Sequence, residues 1–272
     1  MTATISAKEV MNLRQKTGLS MMECKKALME TNGDMAAAEE ALRVKMKGKM
    51  DTRTDRAAGE GRIAIKVAAD GKSATICELR AETDFTAKND EFGAATAQIA
   101  ELALKAPAGD VATTDAMSAL VDQLRIKTGE NISVARCKKV DAGSNGSFGT
   151  YVHHDGKTGV LLQCEGAVAD DVARDICMHI TAAVPRPEGV TRDDVPAEVI
   201  ERERKLAMAM AIEEGKNEEI AAKIVDGKVN KLYSDLALLE QPFVKDPSVK
   251  IKDLLKGGGT VKSFLRWSVG QG

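Results

Sequence analysis

The segment Gly61-Arg62-Ile63-Ala64-Ile65-Lys66-Val67-Ala68-Ala69-Asp70-Gly71-Lys72-Ser73-Ala74-Thr75-Ile76 decides the fold. Ile63, Ile65 and Val67 alternate, Asp70-Gly71 is a turn pair, and Ile76 and Leu79 resume the apolar pattern, so a β-hairpin is predicted. Its landmarks recur about 85 positions later, where Gly146, Asp155-Gly156-Lys157 and Leu161 keep the same order and gaps. Tyr151 to Cys164 is therefore predicted as a second hairpin, and the core as an internal duplication. Each hairpin leads to a predicted helix, Asp90 to about Ala106 and about Asp170 to Ala183, where Ile176 and Ile180 share a face. Each copy also needs a third strand, supplied by Ile132 to Cys137 and by Ser263 to Val269. A lone hairpin cannot bury its apolar face without a helix on it, so the fold class is α+β with antiparallel sheets.

Ahead of the first hairpin, Ser6-Ala7-Lys8-Glu9 forms a capping box, with Ile5 and Val10 placed as a hydrophobic staple and Gly18 as a helix stop. Ser20-Met21-Met22-Glu23 repeats the box, and Asn32-Gly33-Asp34 ends that helix while capping a third. Three helices in about forty residues bury little and suit a docking module. Leu19, Met21 and Met22 crowd the inter-helix turn, where they either face a partner or fill the module's own core. The basic stretch from Arg43 to Arg56 reads as a solvated helix end and linker. In the second copy, between about Glu188 and Gln241, Pro196 opens a helical pattern that Gly215 interrupts and Ile220 resumes, predicting two long antiparallel helices lined with mixed charge.

Over 272 residues, 39 basic against 41 acidic side chains leave a net charge of -2, so no overall field holds a nucleic-acid backbone and any such contact must be local. No apolar run approaches the roughly 18 residues that cross a bilayer, and no signal peptide is evident. Five scattered cysteines, an odd number, point to a reducing cytoplasm. Gly71-Lys72-Ser73 and Gly156-Lys157-Thr158 lack the upstream glycine of a phosphate loop and sit in hairpin turns. His153 and His154, neighbours on a predicted strand, are expected on opposite faces and so unable to share a metal; Cys177 and His179 also diverge. No cysteine is marked as activated. Neither a metal, nor a cofactor, nor covalent catalysis is expected.

The most unusual segment is Glu82-Thr83-Asp84-Phe85-Thr86-Ala87-Lys88-Asn89-Asp90, where one of only five Phe residues stands in a polar loop. Leaving a Phe in water forgoes roughly 1.5 to 3 kcal/mol. Either Phe85 folds back onto its own core, which the residue type alone favours, or it is held ready for another protein's pocket.

That segment, together with Leu13-Arg14-Gln15-Lys16-Thr17-Gly18, Met21-Met22-Glu23-Cys24-Lys25-Lys26-Ala27-Leu28, Gly129-Glu130-Asn131-Ile132, Tyr151-Val152-His153-His154, Met178-His179-Ile180 and Gln241-Pro242-Phe243-Val244-Lys245-Asp246-Pro247, resembles the bacterial translation elongation factor Ts family, almost end to end. The resemblance implies a ubiquitin-associated-like helical module over 1–48, a linker over 49–60, a core N-subdomain over 61–140, and a core C-subdomain over 141–272 that includes a coiled-coil arm at about 194–235. It implies a cytoplasmic guanine-nucleotide exchange factor that binds elongation factor Tu, GDP-bound and nucleotide-free, and expels GDP without covalent chemistry. The contact roles fall on Arg14, Met21, Met22 and Lys25 in the module, on Asp84 and Phe85 with Thr128, Gly129 and His153 nearby, and on Val244 and Lys245. A homodimer or a 2:2 complex is left open. The rival expectation is a ubiquitin-associated-type adaptor without exchange activity, and a thiol-dependent enzyme stands behind it. The chain departs from the family at Thr86, where Val is usual and where a softer packing under Phe85 is expected. It also departs at Ser133-Val134-Ala135-Arg136, which is less basic than usual, and in the linker after Lys45. It stops at Gly272, where some relatives add a helical module.

Overall fold

Ser6 caps the first helix as its sequence demands: its hydroxyl accepts from the Glu9 amide while its own amide donates to Glu9 Oε2 at 2.8 Å. In the computed structural model, which describes residues 5–271, this helix, α1 (Ala7–Thr17), ends at Gly18, whose φ of 70° only glycine adopts without strain. Helix α2 (Met21–Glu30) starts on Ser20, and the Asp34 carboxylate receives the Ala36 and Ala37 amides at the head of α3 (Met35–Asp51). The inward faces, Val10, Leu13, Cys24, Ala27, Leu28, Ala38 and Leu42, form one small core, and Ile5 packs on it as a staple should.

The chain divides into two compact units: one takes in residues up to Ala64, Ile76–Lys139 and the end from Val269; the other takes in Ile65–Thr75 and Val140–Ser268. The first hairpin is β1 (Glu60–Val67) and β2 (Ser73–Ala81). Next come α4 (Asp84–Lys88), α5 (Asp90–Ala103), the two-residue β3 (Gly109–Asp110), α6 (Asp115–Thr128) and β4 (Ser133–Asp141). The sheet order is β1-β2-β4-β3, with β3 antiparallel to β4. Its core gathers Leu79 from β2, Phe92 and Ile99 from α5, Met117, Val121 and Leu124 from α6, and Ile132. Burying such side chains is worth roughly 1.5 to 3 kcal/mol each.

In the other unit, β5 (Gly146–Val152) and β6 (Thr158–Glu165) pair antiparallel, and β6 pairs with β9 (Thr260–Ser268), giving the order β5-β6-β9. Helix α7 (Asp170–Ala182) lays Ala173, Ile176, Cys177 and Ile180 on that sheet. Helices α8 (Ala197–Glu213) and α9 (Glu218–Leu236) pack on each other through Ile200, Ala207, Val225 and Val229. The short hairpin β7 (Pro242–Phe243) and β8 (Asp246–Lys250), then α10 (Ile251–Leu254), precede β9.

The repeat read from sequence recurs bond for bond. In the first turn the Ala68 amide donates to the Ser73 carbonyl, the Gly71 amide to the Ala68 carbonyl, and the Lys72 amide to Asp70 Oδ1. In the second, His153 donates to Thr158, Gly156 to His153, and Lys157 to Asp155 Oδ1. Gly71 and Gly156 take φ of 68° and 71°, the conformation that favours glycine in such a turn.

Three expectations are corrected. His153 and His154 do not diverge on a strand: β5 ends at Val152, both histidines enter the turn, and their rings lie 4.1 Å apart. Cys77 on β2 and Cys137 on β4 are joined by a disulfide, because the third strand lies beside the hairpin's second strand; the sequence left all five cysteines unpaired. The basic linker is not merely solvated. Arg53 donates to the Gly129 carbonyl at 2.6 Å, and the carbonyls of Thr54 and Arg56 receive the Asn131 side chain. Helix α6 was not foreseen at all, although Thr114 caps its start and Gly129 its end.

Among the described residues, no helix is long and apolar enough to cross a membrane. Cys24, Cys164 and Cys177 are free and buried. Burial pushes the Cys164 thiol up to about 11 and raises Cys177 further, so neither is a thiolate near neutrality.

Candidate functional site

The loop that carries Phe85 is a single helical turn. The Thr83 hydroxyl accepts from the Thr86 amide to start α4, and Asn89 both ends it and caps α5 through its acceptance of the Glu91 amide. Ala87 is the one residue of α4 that faces the core, so Phe85, two positions earlier, cannot. It stands 83% exposed, and the alternative in which the ring folds back onto its own core is overturned. Asp84 beside it is partly buried and receives Lys88 Nζ at 2.6 Å.

The turn from α6 to β4 lies against this one. Its Glu130 carboxylate receives the Glu82 and Thr83 amides and the hydroxyls of Thr83 and Thr86. In return Glu82 Oε1 receives the Asn131 amide at 2.6 Å. The structure thus brings Asp84 and Phe85 to the same place as Thr128 and Gly129. Gly129 has a local duty there, closing α6 at φ 73°. Thr86 does not loosen the packing below Phe85; its hydroxyl adds a tie of 2.7 Å.

On the three helices of the same unit, Arg14 and Lys25 are exposed. The alternatives for the apolar residues of the turn divide between them: Leu19 is buried in the module's core, whereas Met21 and Met22 face outward, Met22 at 79% exposure. Met29, which sequence reading passed over, lines a shallow depression with Met22 and Lys25. Its place seven residues after Met22, on one helix face, was the available signal.

In the other unit, His153 is partly buried and its Nδ1 stands 3.2 Å from Asp155 Oδ1. Burial works to raise the Asp155 carboxyl, but the Lys157 amide and the two histidines outweigh it and leave the group below the usual carboxylate value. Val244 and Lys245 form the exposed turn between β7 and β8. Helix α7 grips that turn twice. Asp175 Oδ1 receives Lys245 Nζ at 2.7 Å, and the buried His179 accepts the Val244 amide on Nδ1 at 3.3 Å. Gln241 uses its amide nitrogen to donate to the carbonyls of Pro185 and Asp235, so its oxygen faces His179 Nε2 at 2.8 Å. That network fixes a neutral imidazole protonated on Nε2. Burial first of all holds its pKa below the ordinary value, with the Gln241 bond working the other way.

A family model described as Elongation factor TS matches residues 82–271. Elongation factor Ts of Alkalilimnicola ehrlichii is 43% identical over 276 residues, which cover 98% of this chain and 93% of that protein. The chain belongs to the elongation factor Ts family. The proteins of that name from Thioalkalivibrio sulfidiphilus, 40% identical, and Methylobacillus flagellatus, 43% identical, each cover 99% of this chain.

Membership of the elongation factor Ts family makes this a protein of translation elongation. The family match opens at Glu82, the first residue of the turn that displays Phe85. Within that match, Glu130, Asp175, His179 and Gln241 support the exposed residues; three of them stand in the segments that carry the resemblance, yet the expected contact roles fell only on the residues they support. Nothing local marks a carboxylate as the partner of amides 47 and 48 positions away.

Proposed function

We propose that this chain binds elongation factor Tu, in its GDP-bound and nucleotide-free forms, and promotes release of GDP so that GTP can enter, acting in the cytoplasm as an exchange factor without covalent chemistry. The observation that carries this reading is the exposure of Phe85 on a braced turn, in a chain with few aromatic side chains to spare. An aromatic anchor kept in water at a cost of roughly 1.5 to 3 kcal/mol is what a partner's pocket repays.

The proposed organisation is a ubiquitin-associated-like module over 1–48, a linker over 49–60, and core subdomains over 61–140 and 141–272, the latter carrying a coiled-coil arm at about 194–235. Arg14, Met21, Met22 and Lys25 dock on the GTPase, Asp84 and Phe85 enter it beside Thr128 and Gly129, and His153, Val244 and Lys245 supply further contacts. Bound GDP is held partly through Mg²⁺, whose octahedral shell tolerates little distortion. Phe85 acts as a wedge that shifts the elements holding Mg²⁺ and the phosphates. Linkage then requires GDP to weaken this protein's binding by the same factor, so the ternary complex can lose either ligand.

Release of labelled GDP from elongation factor Tu, with and without the chain, tests the reading. Acceleration supports exchange, and loss of most of it in Phe85→Ala supports the wedge. Binding without acceleration would leave an adaptor, and unchanged release by Phe85→Ala would remove the wedge.

A further inference from the structure

The single carboxylate of Glu130 receives four donors from the turn that displays Phe85. Its Oε2 takes the Glu82 and Thr83 amides, each at 3.1 Å, and its Oε1 takes the Thr83 and Thr86 hydroxyls, each at 2.7 Å. Glu82 answers across the same gap by receiving the Asn131 amide, and its other oxygen lies 3.5 Å from Arg56. Two turns distant in sequence are thereby latched in both directions. Bonds to a carboxylate are about twice as strong as neutral ones. The latch is larger than a five-residue helix needs for its own start, since the Thr83 hydroxyl already caps the Thr86 amide. What it adds is orientation. Thr83 and Thr86 stand on either side of Asp84 and Phe85, so fixing both fixes the direction in which the intervening ring projects.

We propose that Glu130 is a positioning residue for nucleotide exchange: through Thr83 and Thr86 it holds Phe85 in the attitude at which the ring can distort the partner. The proposal rests on the reading of Phe85 as the inserted group. A ring free to swivel could still be accommodated by the partner, but it would give up its binding energy in ordering itself rather than in displacing the partner's elements. The hold therefore acts on the maximal rate of GDP release more than on the concentration of chain needed to reach it. Thr86 is the adjustable part, because its hydroxyl contributes one tie of the four while its bulk matches Val.

The test measures labelled GDP release from elongation factor Tu as the full chain is titrated in, for wild type, Glu130→Ala, Thr86→Val, Phe85→Ala, and Glu130→Ala and Thr86→Val each combined with Phe85→Ala. Glu130→Ala is expected to lower the maximal rate about tenfold with half-saturation moved no more than about threefold, and Thr86→Val to lower it about twofold. On the Phe85→Ala background, neither is expected to change the rate by more than about 1.5-fold, because a residue acting through the ring has nothing left to position. Losses that multiply with Phe85→Ala would overturn the proposal, as would a Glu130→Ala chain with wild-type maximal rate. Should Glu130→Ala lose its cooperative melt, Thr86→Val, which keeps the volume and the carboxylate, carries the same comparison with Phe85→Ala. A wild-type chain that leaves GDP release unchanged would remove the exchange reading itself, and the positioning role with it.

Discussion

Two exposed turns, one in each unit, are held by different chemistry. The Phe85 turn hangs on a partly exposed carboxylate that gathers two amides and two hydroxyls. The Val244 turn hangs on a neutral imidazole, buried and itself held by Gln241, with the outlying Lys245–Asp175 ion pair adding a charged contact. A charge-assisted bond starts about twice as strong as a neutral one, so it keeps useful strength where water weakens both. A neutral one must be sheltered, so α7 and Gln241 are built around it. The first turn can thus stay at the surface and be sharply oriented, whereas the second depends on the integrity of the core beneath it.

Removing the displayed group separates the two most strongly. Phe85→Ala is expected to keep stability within about 0.5 kcal/mol, since the ring is largely in water, while slowing stimulated GDP release at least tenfold. Thermal melting and labelled-GDP release check the two halves, and a large loss of stability would mean that the ring has a structural duty. The opposite pattern is expected at the second turn. His179→Leu orphans the Gln241 oxygen and the Val244 amide and should cost about 1 to 3 kcal/mol in denaturant unfolding, whereas His179→Gln, which can still donate and accept, should recover part of it.

Acid sharpens the contrast. The folded chain holds His179 below its ordinary pKa, so the unfolded chain binds more protons there between the two values. The contribution is complete above the unfolded value of about 6.5 and is lost as pH falls from there toward the folded one. Melting curves from pH 7.5 to 5.5 should show wild type losing stability more steeply than His179→Gln; parallel slopes would refute the assignment. The smallest effect is expected for Lys245→Ala, whose exposed ion pair with Asp175 is worth at most about 1 kcal/mol, with partner affinity falling about two- to fivefold.

What could be read from the residues was what is local. The Asp-Gly turns, the Ser6 box and the helix pair interrupted at Gly215 are set by neighbours within a few positions, and the structure has each of them; the third strands, which it also has, followed from what each hairpin needs to complete its sheet. Phe85 stood out because an aromatic side chain in a polar loop is costly, though only the fold settles which way it points. Helix α6 had legible caps in Thr114 and Gly129, but Gly129 drew attention as a contact residue and its role as a stop was passed over. The Glu130 latch, the Cys77–Cys137 pair and the His179 network join residues 44 to 65 positions apart, and no periodicity encodes such a meeting.

The twinned hairpins also carry a record of tolerance. Beneath the same backbone bonds, one copy places Ala68-Ala69 where the other places His153-His154. The duplicated Asp-Gly-Lys turn closes with the same bonds whichever pair flanks it, so the alanine copy serves as an internal blank: whatever the two tilted imidazoles contribute is separable from the scaffold that bears them.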